Sequence, residues 1–214
     1  MNVSLAIDFT LSNLEIKDQR SLHFQHTNGD MNSYEKALFE VCNVMVKYAK
    51  DDGCFNVYGF GGIPHYIGHK NQVSRLWSLN GSDDPRCKGT MEVLKAYQKG
   101  IQHTTLAGPS YFGNLLEKVK SNIVSSMNRT GLDNNREYHV VIIVTDGNCH
   151  DMEETKRQLV ALSGMPFSGV VIGVGDGDFE QMEILDADGE VLADAAGNKA
   201  IRDIVQLVEY DSFA

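Results

Sequence analysis

Short, continuous runs of apolar and often β-branched residues are the feature of this sequence that most restricts its fold. The runs VSLAIDF, HVVIIVTD and GVVIGVG each have the length of one strand. They lack the alternation of apolar and polar residues that is expected of a strand with one solvent-exposed face. Such runs are typical of strands buried on both faces of a parallel sheet. FNVYGF is predicted to form a fourth strand, DIVQLVEY a last one, and SRLWSL a short edge strand.

Amphipathic stretches separate these strands. SYEKALFEVCNVMVKYAK repeats its apolar residues at helical spacing, and Asn32 with Glu35 three residues later approaches a capping box. TMEVLKAYQKGI, FGNLLEKVKSNIVSSM and DMEETKRQLVAL are predicted to be further helices. Because strand and helix alternate, we predict an α/β fold: a Rossmann-like, doubly wound, mostly parallel six-stranded sheet with helices on both faces.

Length and charge limit the number of domains and the kinds of partner. A chain of 214 residues without a repeat or linker is expected to form a single domain over residues 1–214, and the strand starting at about Val3 suggests a domain cut from a longer protein. The formal charge of −10 repels the phosphates of nucleic acids and anionic lipids, so nucleic-acid binding is not expected. The four cysteines are widely spaced without a C-x-x-C pair, which favours reduced thiols in the cytosol.

The segment AIDFTLSN places polar side chains at the end of the first predicted strand. Asp8, Thr10 and Ser12 alternate with apolar residues. If the loop is extended, these three side chains point one way, while Phe9 and Leu11 turn towards the core. The alternative is that Thr10 and Ser12 only satisfy backbone donors at a turn.

Two further oxygen donors are predicted to meet this segment. Asp146 ends the HVVIIVTD strand, and Ser110 lies in LAGPSYFGN, before a predicted helix for which it is alternatively a plain N-cap. In open α/β sheets, ligands bind beyond the carboxyl ends of the strands, so Asp8 and Asp146 face each other if their strands are neighbours. An all-oxygen set suits magnesium, and also manganese or calcium. Magnesium leaves coordination positions open, and the carboxylate of a protein partner fits there.

Other motifs are interpreted as structural. HYIGH spaces His65 and His69 like a zinc pair, but glycine and proline predict a loop and no third ligand is evident. GVGDGDF departs from the dinucleotide motif at Asp178, and the acidic stretch DGDFEQMEILDADGE lacks EF-hand spacing and is predicted to form surface turns. Cys149 and His150 are expected on a solvated loop at the rim of the site.

The main enzymatic alternative is a magnesium-dependent phosphotransferase that uses Asp8 as its nucleophile. Aspartyl-phosphate enzymes have a second aspartate two residues after the nucleophile, where this chain has Thr10. A P-loop motif is also absent from the sequence. Catalysis is therefore not predicted. A structural domain with a vestigial site is the other alternative.

These segments resemble the von Willebrand factor A (vWA) fold with its metal-ion-dependent adhesion site (MIDAS), and more narrowly the A domain of copines. AIDFTLSN, YGFGGIP, LAGPS, TDGNCHDMEET, GVGDGDFEQMEILD and RDIVQLVEY are similar to copine segments in the same order, over nearly the whole chain. In this pattern the first-loop hydroxyls bind the ion directly, and the carboxylates bind it directly or through water. The ligands that the resemblance implies are Asp8, Thr10, Ser12, Ser110 and Asp146. The departure is Ser110, where the pattern generally has threonine; the hydroxyl is kept and a methyl group is lost.

The resemblance also implies a function. Copines resemble one another in having two calcium-dependent lipid-binding domains ahead of the A domain. The chain is then expected to be a cytoplasmic, non-enzymatic and monomeric interaction module, whose cation coordinates an acidic residue of a protein partner. The full-length protein would bind phospholipid in a calcium-dependent manner through domains outside this chain, be recruited to membranes by them, and act in membrane trafficking and signalling.

Overall fold

The computed structural model describes residues 1–68, 71–130, 137–188 and 191–210. Its strands are β1 (Asn2–Asp8), β2 (Cys54–Phe60), β3 (Gly62–Pro64), β4 (Trp77–Ser78), β5 (Arg86–Lys88), β6 (Thr104–Leu106), β7 (His139–Thr145), β8 (Phe167–Gly173) and β9 (Val205–Glu209). Its helices are α1 (Ser33–Met45), α2 (Lys50–Gly53), α3 (Gly89–Gln102), α4 (Gly113–Thr130), α5 (Met152–Leu162) and α6 (Glu180–Asp186).

The main sheet has the predicted doubly wound, mostly parallel arrangement. Its strand order is β4-β2-β1-β7-β8-β9, and the strands from β2 to β9 in this order run parallel. β4 and β5 both pair antiparallel with β2, at opposite ends of it, so the sheet is six positions wide although it contains seven strands. The predicted edge strand in SRLWSL is β4. β3 and β6 form a separate two-stranded ribbon, which was not predicted from the sequence.

Helices cover both faces of the sheet, as predicted. Along β1, Leu5 and Ile7 pack into the cluster that contains α1 and α3, whereas Ala6 belongs to the cluster of α4, α5 and α6 on the opposite face. Successive side chains of a strand point to opposite faces, and burial on both explains the unbroken apolar run. All three side chains are fully buried.

The predicted helices are present, one of them shorter than predicted, and the short helices α2 and α6 were not predicted. The capping box of α1 forms: Asn32 accepts from the Glu35 amide at 2.9 Å, and Glu35 accepts from the Asn32 amide at 3.0 Å. α1 ends at Met45, before the end of its predicted segment. α6 lies where surface turns were predicted, because Met182 and Leu185 bury one face of this short helix among acidic residues.

The described residues bear on two further features. Every helix described is too short or too polar to cross a bilayer. The four cysteines carry free thiols.

Candidate metal centre

The carboxyl ends of β1 and β7 lie side by side, where the strand order reverses. Ile7 is in register with Val144, so Asp8 and Asp146 leave neighbouring strands, as the prediction required. Asp8 is fully buried and Asp146 is 7% exposed. Burial and, secondarily, the charge of Asp146 raise the pKa of Asp8 to about 7. Two carboxylates thus share one poorly hydrated place.

The first loop wraps hydrogen-bond donors around Asp8. Its Oδ1 accepts from the Thr10 amide at 2.8 Å and from the Thr10 hydroxyl at 2.6 Å. Its Oδ2 accepts from the Thr145 hydroxyl at 2.6 Å. Ser12 Oγ lies 2.9 Å from Thr10 Oγ1 and is exposed at the mouth of the site. The predicted trio Asp8, Thr10 and Ser12 therefore comes together; Thr145 was not predicted, although it directly precedes Asp146.

One detail of the predicted first loop is wrong. Phe9 is buried as expected, but Leu11 is 47% exposed. Strict alternation holds only while the backbone is extended, and a turn of 3₁₀ helix begins at Leu11 and continues to Asn13. Ser12 nevertheless stays beside Thr10.

Ser110 joins the same group of oxygens from the second loop, residues 107–112 between β6 and α4. It is fully buried, and its hydroxyl donates to Thr10 Oγ1 at 3.4 Å. The amides that begin α4 are capped from elsewhere: those of Phe112 and Gly113 donate to the carboxylate of Asp151, both at 3.0 Å. The plain N-cap role considered for Ser110 is thus taken by Asp151.

The third loop, residues 146–151 between β7 and α5, forms hydrogen bonds to the second loop. His150 Nδ1 accepts from the Ser110 amide at 3.2 Å, and the His150 amide donates to the Ser110 carbonyl at 2.9 Å. His150 is exposed, as expected for the rim, but Cys149 is 2% exposed, so its assignment to a solvated loop was wrong. Its thiol faces Asp151 Oδ1 at 3.4 Å, and burial raises its pKa to about 12. This thiol is inert and structural.

Asp146 has unused binding capacity. Its Oδ1 is buried and has no hydrogen-bond partner among the described residues. A buried, unpaired carboxylate oxygen is costly unless it meets a donor or a cation. The donor set is all oxygen, with two carboxylates and hydroxyls from separate loops. It therefore fits a hard divalent cation.

A buried histidine, His23, contacts the backbone of Asp8. This role was not predicted from the sequence. His23 Nε2 lies 2.9 Å from the Asp8 carbonyl, and its Nδ1 lies 2.8 Å from the Tyr97 hydroxyl. Because a carbonyl only accepts, Nε2 carries the proton and Tyr97 donates to Nδ1. Burial lowers the pKa of His23 to about 3. No motif surrounds His23 in the sequence, so only the fold reveals this role.

The zinc hypothesis gains no support from the structure. His65 Nε2 lies 2.8 Å from the Thr105 hydroxyl. His69, the second histidine of HYIGH, lies outside the described residues.

Comparison with protein families identifies relatives over most of the chain. A family model described as Copine matches residues 21–214. The proteins BONZAI 1 and BONZAI 2 of Arabidopsis thaliana are 37% and 36% identical to this chain over 210 and 211 residues. Each alignment covers 97% of this chain but 35% and 34% of the relatives. The chain thus spans about a third of the length of these curated relatives.

Solved structures share the fold at low sequence identity. Manganese-loaded TRAP protein of Plasmodium vivax matches with a TM-score of 0.55 and 15% identity, over 100% of this chain and 70% of TRAP. Proximal thread matrix protein 1 of the mussel byssus matches with a TM-score of 0.52 and 16% identity, over 99% of this chain and 43% of its own. These likenesses establish the vWA fold that the sequence segments predicted.

Proposed function

This chain belongs to the copine family, and on that premise we propose that it is a cation-dependent protein-interaction module. One divalent cation, magnesium by preference and otherwise manganese or calcium, binds at the carboxyl end of the sheet. An acidic side chain of a partner protein fills its open coordination position. The residues that hold the cation are Asp8, Thr10, Ser12, Ser110 and Asp146.

The observation that carries this proposal is the buried Oδ1 of Asp146, which has no hydrogen-bond partner among the described residues and lies beside the buried Asp8. The two carboxylates repel each other, which contributes to the raised pKa of Asp8. A cation between them relieves this repulsion and occupies the free Oδ1 of Asp146. Magnesium takes only one or two protein carboxylates, which matches the number present. Ser12 is exposed, so the site opens outward to a partner.

Two further points support the assignment. A protein with the same fold, TRAP, is described as manganese-loaded, which agrees with a hard cation rather than zinc. The net charge of −10 would repel anionic lipid. We therefore assign calcium-dependent phospholipid binding and membrane recruitment to other parts of the full-length protein, and place this module in the cytoplasm.

Calorimetric titration of magnesium and manganese into the chain tests the site. We expect saturable binding by the wild type and at least a tenfold loss in Asp146→Ala, as is typical when a ligand or its support is removed. Asp83→Ala is the matched control, because it removes an exposed carboxylate elsewhere. Wild-type protein that fails to bind either ion, or unchanged binding by Asp146→Ala, overturns the proposal.

The interaction role needs a separate experiment. Partner proteins retained by the immobilised chain in magnesium should be released by EDTA and should not be retained by Asp146→Ala. If the metal binds but retention ignores chelation, the cation is structural and the adhesion role is wrong.

The geometry does not favour the phosphotransferase alternative. Both oxygens of Asp8 already accept hydrogen bonds, and its side chain is fully buried. Phosphate release from a generic phosphoester that disappears in Asp8→Asn would revive this alternative.

A further inference from the structure

We propose a second cation site, selective for calcium, formed by Asp186, Asp188 and Asp203. One carboxylate oxygen from each lies within 4.8 Å of the other two. Asp186 ends α6, and Asp203 precedes β9. β9 runs parallel to β8 and β7. The start of β9 therefore lies at the amino-terminal end of the parallel strands, opposite to the carboxyl-terminal end that carries Asp8 and Asp146. The site is thus separate from the candidate metal centre.

Asp186 supplies the buried half of this site. It is 6% exposed. Its Oδ2 accepts from the side-chain amide of Gln206 and from the Leu207 amide, both at 3.1 Å. Its Oδ1 is buried and has no hydrogen-bond partner among the described residues. The carboxylate is therefore fixed in place by β9, with one oxygen left over, which is what a ligand to a cation requires.

Among the described residues, the cluster also lacks a compensating positive side chain. In the part of the chain that the structure describes, no lysine or arginine forms an ion pair with these aspartates. Arg202, next to Asp203, instead donates to the carbonyls of Met165 and Phe167. Three carboxylates thus face one another in a chain that already carries a net charge of −10.

The chemistry of the cluster favours calcium. Carboxylate oxygens select a hard cation. Calcium accepts six to eight oxygens in flexible geometry, so three carboxylates with water at the exposed Asp188 and Asp203 suit it. Magnesium demands a near-ideal octahedron and usually takes fewer protein carboxylates. With few ligands fixed in advance, we expect a Kd of about 10⁻⁴ to 10⁻³ M, at the weak end of calcium sites.

Calcium titration followed by NMR tests the proposal with a local reporter. The Leu207 amide donates to Asp186 Oδ2. Its resonance therefore reports calcium binding at the Asp186 cluster and not at the candidate metal centre. We expect a saturable shift in the wild type below about 10 mM calcium. In Asp188→Asn/Asp203→Asn, the affinity should fall by more than about tenfold. Both side chains are exposed, so the variant should keep its fold.

Asp30→Asn/Asp83→Asn is the matched control, since it removes the same charge from exposed positions elsewhere. It should titrate like the wild type. A wild type without a saturable shift, or a double aspartate variant that titrates like the wild type, overturns the site. Equal affinity for magnesium overturns the assignment to calcium.

Discussion

At the scale of single residues, two buried groups next to each other have pKa values displaced in opposite directions. Burial and the charge of Asp146 raise the pKa of Asp8 from 3.8 to about 7. Burial lowers the pKa of His23 from 6.5 to about 3. Between pH 3.8 and 6.5 folding thus adds a proton to Asp8 and removes one from His23. The two contributions to the pH dependence of stability cancel in this window.

Magnesium should remove this cancellation. A bound cation keeps Asp8 ionised in the folded state, so only His23 remains, and folding then disfavours its protonated form. From about pH 4 to 6.5, His23 should make the free energy of unfolding of the magnesium-saturated protein rise with pH by up to about 1.4 kcal/mol per unit. In EDTA these two groups should contribute almost no slope there. Still in EDTA, the raised pKa of Asp8 should make stability fall as the pH rises from 6.5 through about 7.

Urea unfolding at several pH values, with saturating magnesium and with EDTA, measures both slopes. His23→Gln should remove the part of the slope in magnesium that is absent in EDTA, since glutamine does not titrate; the lowered pKa of His139 contributes equally in both conditions. Identical slopes in magnesium and EDTA would contradict the linkage.

Gly177 gives a second residue-scale prediction. A Cβ at this position would lie 2.2 Å from the Asp146 carbonyl oxygen, a backbone atom that cannot turn aside. Gly177→Ala should therefore displace Asp146, weaken magnesium binding by about tenfold or more, and cost about 1–3 kcal/mol of stability. Gly68→Ala is the control, because its Cβ would meet nothing within 4 Å. Calorimetry and urea unfolding give the two readouts, and normal metal affinity in Gly177→Ala would contradict the prediction.

At the scale of elements, the start of α5 holds the start of α4. Asp151 is the N-cap residue of α5, yet its carboxylate receives the amides of Phe112 and Gly113 at the beginning of α4. Ser110 lies two residues before Phe112 and is braced by His150 from the same third loop. Four hydrogen bonds therefore link the second loop and the start of α4 to the third loop as one hydrogen-bonded unit.

Asp151→Ala should release this unit without removing a proposed ligand. Loss of the cap should cost about 1 kcal/mol, and magnesium affinity should fall about tenfold as Ser110 loses its support. Asp151→Asn, which keeps one acceptor oxygen, should restore part of the affinity. The exposed Glu153→Ala is the control. Calorimetry separates the outcomes: reduced stability with unchanged affinity would mean that Asp151 acts on the fold alone.

At the scale of the whole molecule, net charge opposes the proposed partner. A chain of charge −10 repels an acidic protein at long range, and the cation bridge acts only at contact. Raising the salt from about 0.05 to 0.3 M screens the long-range repulsion. The association rate of an acidic partner should therefore increase with salt in saturating magnesium. Surface plasmon resonance measures it, and a rate that falls with salt would point to a basic patch on the chain as the docking surface.

The sequence by itself determined the central sheet and most helices of this copine-family domain. Buried parallel strands need unbroken apolar runs and amphipathic helices need a 3.6-residue period, and both are local patterns. The same logic placed Asp8 and Asp146 at strand ends, where an open α/β sheet binds ligands. α6 was missed because its seven residues bury only a few apolar side chains among acids.

Only the tertiary structure decided which distant side chains meet. His23 contacts the Asp8 carbonyl, and Thr145 donates to the Asp8 carboxylate. Asp203 lies within 4.8 Å of Asp186, measured between carboxylate oxygens. None of these contacts leaves a periodic pattern in the sequence, because each depends on how separate loops pack. The outward turn at Leu11 has the same origin, since the backbone leaves the extended conformation there. Local periodicity specifies elements, whereas burial and charge at a site are properties of the assembled fold.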